Sequence, residues 1–153
     1  MIFRTNHASA NQLEGLLRLC ELDFVPKLSS QVNIADYANK LHLRATRAES
    51  WRDQTLTGFV AFYSNRESLE GFISSVCIHP TERGNGTAKL LLANTEKIMA
   101  FNSMRRATLE VGVGNLRATK LYEDFGYQKI STDGALIRME KVLGKGLETL
   151  KHE

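Results

Sequence analysis

The residues best suited to chemistry form a short glycine-rich loop with one arginine, R-G-N-G-T-A at residues 83–88, between an apolar segment and an amphipathic one. Backbone N–H groups at the start of a helix have no partner within the helix, and the helix dipole favours negative charge there. Gly84 and Gly86 carry no side chain that would keep a ligand off the backbone. Arg83 adds a fixed cation. The loop therefore predicts a site for a phosphate-type anion.

This loop does not match two common phosphate-binding motifs. It lacks the Lys-Ser/Thr pair of a Walker loop, and its glycine spacing differs from the dinucleotide-binding fingerprint. The predicted strand before it also follows other strands instead of opening the chain. Taken alone, the loop is equally compatible with an ordinary strand-to-helix turn that carries a surface arginine.

The elements that must position the loop follow from the hydrophobic period along the chain. The patterns predict the order β-α-α-β-β-β-α-β-α-β-β, an α/β fold with about seven strands in a mixed, mostly antiparallel sheet flanked by about four helices. Asn6 or Ser9 is expected to cap the first helix, and Asn115 the last. Asp133-Gly134 is expected to form a hairpin turn. Core candidates on the helix after the loop are Leu90, Leu91, Ile98 and Phe101.

Composition disfavours several classes of protein, namely nucleic-acid-binding, metal-binding, secreted and membrane proteins. The chain has 153 residues, a net charge of +3 and no dense Lys/Arg run, which disfavours a nucleic-acid-binding module and is compatible with a small polyanionic ligand. Cys20 and Cys77 match no metal-ligand spacing, so we expect buried free thiols and no metal site. The chain shows neither a signal-peptide pattern nor an apolar run of membrane-spanning length. These features predict a cytoplasmic protein that does not engage a membrane, with one domain over residues 1–143 and a charged tail over residues 144–153.

A second motif, L-E-V-G-V-G-N-L-R-A-T-K-L-Y-E-D-F-G-Y, runs from Leu109 to Tyr127. Together with the loop it resembles the GNAT superfamily, the Gcn5-related N-acetyltransferases. Arg83-x-x-Gly86-x-Ala88 is similar to the family signature for the cofactor pyrophosphate. Residues 109–111, 115, 118, 121–122 and 126–127 are similar to its second signature. The resemblance covers the chain from about Gly58 to the last predicted strand, and the first half agrees only in the order of its elements.

The resemblance implies a single-domain acetyltransferase that uses acetyl-CoA. Residues 76–78 would line the pantetheine arm, and a backbone N–H there would stabilise the oxyanion formed when an amine attacks the thioester directly. Asn115 would hydrogen-bond the cofactor, and Tyr122 would protonate the departing thiolate. The cofactor-binding residues implied in this way are Val76, Cys77, Ile78, Arg83, Gly84, Asn85, Gly86, Thr87, Ala88, Asn115 and Tyr122. Without the resemblance, Asn115 is a plain helix cap, Tyr122 is a core residue and Cys77 is a packing residue.

The base that deprotonates the amine has three candidates. Glu110 occupies the place of a glutamate that serves as base in the family branch acting on ribosomal-protein N-termini, so we place it with Tyr122 as a catalytic residue. Glu70, at the start of the central predicted strand, and His79, at its end, are the alternatives. His79 has the ordinary pKa best suited to the task, but an exposed histidine before a proline is also what a turn requires.

The acceptor is expected to be a small-molecule amine such as an amino sugar. The resemblance implies an acceptor site formed by residues 24–43, Trp51 and residues 131–135. Three alternatives stay open: acetylation of a protein N-terminus or lysine, a non-catalytic acyl-CoA-binding regulator on the same fold, and a nucleic-acid-binding module. The oligomeric state, a homodimer included, is also left open.

Overall fold

The computed structural model describes residues 1–144, so the predicted charged tail lies, apart from Gly144, outside the described residues. The strands are β1 (Ile2–Thr5), β2 (Thr46–Arg52), β3 (Thr55–Asn65), β4 (Glu70–Ile78), β5 (Arg106–Gly112), β6 (Gln128–Asp133) and β7 (Leu136–Val142). The helices are α1 (Ala10–Leu19), α2 (Ile34–Arg44), α3 (Thr87–Phe101) and α4 (Leu116–Asp124). The predicted element order is confirmed.

The strands form one seven-stranded sheet in the order β1-β2-β3-β4-β5-β7-β6. Neighbours β1–β2, β2–β3, β5–β7 and β6–β7 pair antiparallel, whereas β4 and β5 pair in parallel. Parallel neighbours need a crossover connection, and α3 supplies it between β4 and β5. The β4–β5 pairing runs from Glu70↔Arg106 to Ile73↔Leu109, so Val76–Ile78 lie beyond the paired segment. The predicted mixed, mostly antiparallel sheet is confirmed.

The described residues fall into two compact units. Unit 1 comprises Met1–Phe62 and Ser75–Thr95, and it holds α1, α2, β1, β2 and the glycine loop. The first helix begins at a capping box, because Ser9 Oγ accepts the Gln12 N–H and the Gln12 side chain accepts the Ser9 N–H. Asn33 caps α2 in a similar way. Fully buried side chains of this unit include Leu13, Leu17, Leu41, Phe59, Phe62, Leu91 and Leu92.

A buried carboxylate organises the start of unit 1. Glu49 on β2 is fully buried, and its Oε1 accepts from the His7 and Ala8 N–H groups at 3.0 Å each. The Trp51 indole N–H also donates to Oε1, at 3.1 Å. Arg47, itself buried, donates from Nε to Oε2 at 3.1 Å. A charge can be buried only when it is paired and hydrogen-bonded, and Glu49 meets both conditions.

Unit 2 comprises Tyr63–Ser74 and the described residues from Glu96 onward, including β5, α4, β6 and β7. A side chain at Gly71 of β4 has no room, because an added Cβ would lie 2.5 Å from Met99 Sδ. Tyr127 donates its hydroxyl proton to Glu96 at 3.0 Å, and Lys141 forms an ion pair with the same carboxylate at 2.9 Å. Within residues 1–144, no helix combines the length and hydrophobicity that a bilayer crossing requires.

Two details of the sequence-based predictions are wrong. Leu90 and Phe101 on α3 are 51% and 85% exposed, whereas Leu92 and Met99 are fully buried. Three consecutive leucines, residues 90–92, lie near the start of this helix. The sequence pattern therefore did not indicate which side of the helix is buried. The β6–β7 register pairs Asp133 with Leu136, so the hairpin loop is residues 134–135, one position later than predicted.

Candidate functional site

The glycine loop joins a short 3₁₀ turn, Pro80–Glu82, to the first residue of α3, Thr87. Gly84 has φ +81° and Gly86 has φ +76°, in the left-handed region that favours glycine. An added Cβ at either position would meet no atom within 4 Å, so backbone conformation, not lack of space, selects glycine here. The loop therefore has the geometry expected of a backbone cradle, with open surroundings at both glycines.

The donors of this loop suit an anion. α3 begins at Thr87 and the Leu90 N–H bonds back to the Gly86 carbonyl, so the N–H groups of the first helical residues have no partner within the helix. Thr87 Oγ1 is also buried without a hydrogen-bond partner in this part of the chain. Unpaired donors at a helix N-terminus complement phosphate oxygens. The residues present fit the pyrophosphate of coenzyme A.

Arg83 is already engaged by a carboxylate. Its Nη2 forms an ion pair with Asp23 Oδ2, and both side chains are partly exposed. Asp23 belongs to a 3₁₀ turn that follows α1, sixty residues earlier in the chain. This pairing was not predicted, since no local sequence pattern connects positions so far apart. An anion that binds Arg83 would compete with Asp23 for the guanidinium.

Residues 76–78 close β4 with alternating burial: Cys77 is buried, whereas Val76 and Ile78 are partly exposed. The Cys20 thiol donates to the Ile78 carbonyl at 3.2 Å, so one backbone acceptor of the proposed pantetheine track has a protein partner. Both cysteines are buried free thiols, as predicted. Burial raises the pKa of the Cys77 thiol well above its ordinary range. A neutral, enclosed thiol of this kind is suited to packing rather than to nucleophilic attack.

The second motif forms the turn into α4 and the helix itself. Asn115 caps α4, its Oδ1 accepting the Ala118 N–H at 3.2 Å. Tyr122 lies on the buried face of the helix, edge-to-face with Tyr127 at 6.0 Å between ring centroids. Burial and the neighbouring Glu96 raise the pKa of Tyr127. The predicted cap is therefore present, and the cofactor roles of Asn115 and Tyr122 stay predictions.

Unit 2 contains an open cleft of about 860 Å³. It is lined by the β3–β4 turn and by four strands, through Tyr63, Ser64, Asn65, Arg66, Glu67, Ser68, Glu70, Phe72, Glu110 and Arg138. Glu70 and Glu110, two of the candidate bases, thus lie in one cleft. The third, His79, belongs to unit 1, where its Nδ1 accepts the Thr81 N–H at 3.2 Å. This cleft was not predicted from the sequence.

The two carboxylates of the cleft differ in their partners. Glu70 forms ion pairs with Arg106 Nε and with Arg138 Nη2, each at 3.2 Å. Glu110 is exposed, and within residues 1–144 it forms no ion pair or hydrogen bond through its carboxylate. The register nevertheless pairs Glu110 directly with Arg138. In this part of the chain, no group of three or more His, Cys, Asp or Glu side chains is placed to hold a metal ion.

The model of the acetyltransferase (GNAT) family matches residues 13–127. Among solved structures, the chain is similar to a PaiA N-acetyltransferase from Thermoplasma acidophilum in complex with coenzyme A, with 19% identity, 93% of this chain and 99% of that chain covered, and a TM-score of 0.72. It is also similar to an aminoglycoside 6'-N-acetyltransferase complexed with coenzyme A, with 15% identity, coverage of 93% and 97%, and a TM-score of 0.78.

A third similar structure is a ribosomal-protein-alanine N-acetyltransferase from Brucella melitensis, with 18% identity, coverage of 94% and 100%, and a TM-score of 0.71. No curated protein matched the sequence. At identities this low, the structural matches establish the fold and leave the substrate open.

Proposed function

Because the chain belongs to the GNAT acetyltransferase family, we propose that it transfers an acetyl group from acetyl-CoA to the primary amine of a small molecule such as an amino sugar. The observation that carries this proposal is Glu110: a solvent-exposed carboxylate in a polar cleft of unit 2, with no ion-pair partner among residues 1–144. An amine is protonated near neutral pH and must lose a proton before it can attack. Glu110 is available to accept that proton.

The donor side of the reaction is assigned to the glycine loop and the end of β4. When bound, acetyl-CoA supplies an acetyl group activated as a thioester. The backbone N–H groups of residues 84–88 and the Arg83 guanidinium would bind the pyrophosphate. The backbone of Val76–Ile78, beyond the segment of β4 that pairs with β5, would bind the pantetheine arm. The presence of coenzyme A in two similar structures supports this assignment.

Asn115 and Tyr122 complete the proposed donor side. The Asn115 side chain, whose oxygen caps α4, would hydrogen-bond the cofactor. Tyr122 Oη would supply the proton that the leaving sulfur takes up, as a phenol can at neutral pH. Cys77 would contribute packing and backbone groups only, because its buried thiol is held neutral.

The acceptor side is assigned to the cleft in unit 2. Three carboxylates line it, from Glu67, Glu70 and Glu110, against two arginines, so a cationic amine is attracted. Hydroxyl and amide groups of Ser64, Asn65 and Ser68 can hydrogen-bond sugar hydroxyls. The similar aminoglycoside 6'-N-acetyltransferase supports an amine of this class. This location differs from the acceptor site that the resemblance implied.

The test measures free-thiol release from acetyl-CoA with a panel of amines. We expect turnover with amino sugars or aminoglycosides that exceeds turnover with peptides bearing a free N-terminus or lysine. Glu110→Gln should lower kcat/KM by about 10²- to 10⁴-fold at neutral pH and remove the acidic limb of its pH profile. Tyr122→Phe should lower kcat while leaving coenzyme A affinity within about twofold of the wild type, because its proposed role is proton transfer.

Two other outcomes would replace the proposal. Turnover confined to peptides would make the chain a protein acetyltransferase, the reading favoured by the likeness to a ribosomal-protein-alanine N-acetyltransferase. Calorimetric binding of coenzyme A without turnover on any amine would make it an acyl-CoA-binding regulator.

A further inference from the structure

We infer that Glu70 is a positioning residue that holds Arg138 away from Glu110 and so keeps Glu110 available as a base. The inference rests on the proposed function, in which Glu110 accepts the proton of the amine. It assigns a role to the ion-paired carboxylate of the cleft that is distinct from base catalysis. It also accounts for the presence of two glutamates and two arginines on one side of three neighbouring strands.

Arg138 forms its ion pair with Glu70 and not with Glu110, its partner in the strand register. On the antiparallel β5–β7 pair, Glu110 and Arg138 are register partners, and directly opposed side chains have their Cβ atoms only about 4.5–5.5 Å apart. An arginine so placed is well situated to pair with the carboxylate opposite it. Instead, Arg138 Nη2 reaches across β5 to Glu70 Oε2 on β4, at 3.2 Å.

Glu70 is itself fixed from a second side. Its other oxygen, Oε1, lies 3.2 Å from Arg106 Nε, and the backbone register places Glu70 directly beside Arg106. One carboxylate therefore holds two guanidinium groups, one through each oxygen. All three side chains are 25–45% exposed, so each ion pair is weak, and Arg138 favours Glu70 over Glu110 by only a small free-energy difference. Removing the charge of Glu70 should lead Arg138 to pair with Glu110.

The charged and titratable groups that line the cleft with Glu110 are Tyr63 from β3, Arg66 and Glu67 from the β3–β4 turn, Glu70 from β4, and Arg138 from β7. Among these, Arg138 is the cation placed opposite Glu110 by the sheet register. A guanidinium beside a carboxylate favours its ionised form and makes it a weaker proton acceptor. Glu70 keeps Arg138 from pairing with Glu110, because it holds the Arg138 guanidinium in an ion pair of its own.

The experiment follows the acidic limb of kcat/KM in Glu70→Gln, which keeps the side-chain shape and removes its charge. We expect the limb to move to lower pH by about 0.2–0.7 unit, because an ion pair between exposed side chains shifts a carboxylate only slightly. The plateau rate should fall by up to about fivefold, because the proton acceptor is weaker. A readout without cofactor is the ¹³C NMR titration of the Glu110 carboxyl, whose midpoint should move in the same direction and by the same amount.

A double variant and a matched control separate this role from a structural one. Glu70→Gln combined with Arg138→Gln should return both the limb and the NMR midpoint to within about 0.1 unit of wild type, because the displaced cation is gone. Arg106→Gln removes the other arginine of Glu70 and leaves the Glu70–Arg138 pair in place, so it should leave the limb unmoved. Urea unfolding confirms that each variant is folded.

Three results would overturn the inference, each in a distinguishable way. If Glu70→Gln leaves the limb and the midpoint in place while Glu110→Gln removes the limb, the positioning role fails and the proposed function stands. If Glu70→Gln abolishes the limb, Glu70 is the base. If Glu110→Gln keeps the limb, the proposed role of Glu110 fails, and with it the basis of the inference.

Discussion

Gly86→Ala is expected to reduce either the stability of the protein or its affinity for coenzyme A. Gly86 has φ +76°, and an added Cβ would meet no atom within 4 Å, so steric contact contributes nothing to the cost. The whole cost is conformational, about 1–2 kcal/mol for an L-residue in the left-handed region. If the loop keeps its shape, the free energy of unfolding falls by that amount. If the loop relaxes instead, coenzyme A affinity falls by roughly five- to thirtyfold.

Gly15→Ala is the matched control for this prediction. Gly15 is exposed in the middle of α1, its φ is not positive, and an added Cβ again meets no atom within 4 Å. The same substitution should there raise the free energy of unfolding by about 0.5–1 kcal/mol, the difference in helix propensity. Urea unfolding and coenzyme A calorimetry measure both variants. The reasoning is refuted if Gly86→Ala leaves both quantities at their wild-type values.

Three further predictions test the surroundings of the loop and of unit 1. Asp23→Asn should tighten coenzyme A binding by roughly 1.4- to 5-fold at low salt by releasing Arg83 from a partly exposed ion pair; weaker binding in calorimetry would instead mean that Asp23 holds Arg83 in place. Glu49→Gln should lower the free energy of unfolding by about 3–5 kcal/mol, because its buried arginine partner loses its counter-charge; a change below about 1 kcal/mol in urea unfolding would contradict this. Hydrogen bonding to Arg52 lowers the pKa of Glu82 below its ordinary value of 4.5, so this pair stabilises the fold above that pH and its contribution is lost as the pH falls below it. Arg52→Gln should flatten that part of the stability profile, and an unchanged profile would count against the pairing.

Local signals in the sequence predicted the elements well. The predicted caps at Ser9 and Asn115 are present, because a cap depends on neighbours within three or four residues. The buried face of α3 was partly missed, since consecutive leucines give no single apolar side to choose. The resemblance to GNAT acetyltransferases is confirmed by the family model, which spans both motifs.

The candidate site was predictable only where its residues are contiguous. The loop at residues 83–88 could be located because its residues are neighbours in the chain. The pairing of Asp23 with Arg83 could not, as it joins positions sixty apart. Whether Arg138 pairs with Glu70 or with Glu110 depends on strand order and register, which no local sequence pattern specifies. Charged residues an even number of positions apart on β5 and on β7 indicate that their side chains share one face of each strand. This spacing does not specify which charged side chains pair with each other.

The close packing of Gly71 against Met99 affects how substitutions can alter the cleft. Successive residues of a strand point to opposite faces, so Glu70 and Phe72 line the cleft while the position between them points toward Met99. An added Cβ would lie 2.5 Å from the Met99 sulfur, so a single methyl group requires the buried Met99 side chain to shift. Met99 therefore packs directly behind the part of β4 that lines the cleft. A substitution at position 71 can alter substrate selectivity without replacing any group that a substrate would touch, and a smaller residue at position 99 is the compensating change to look for.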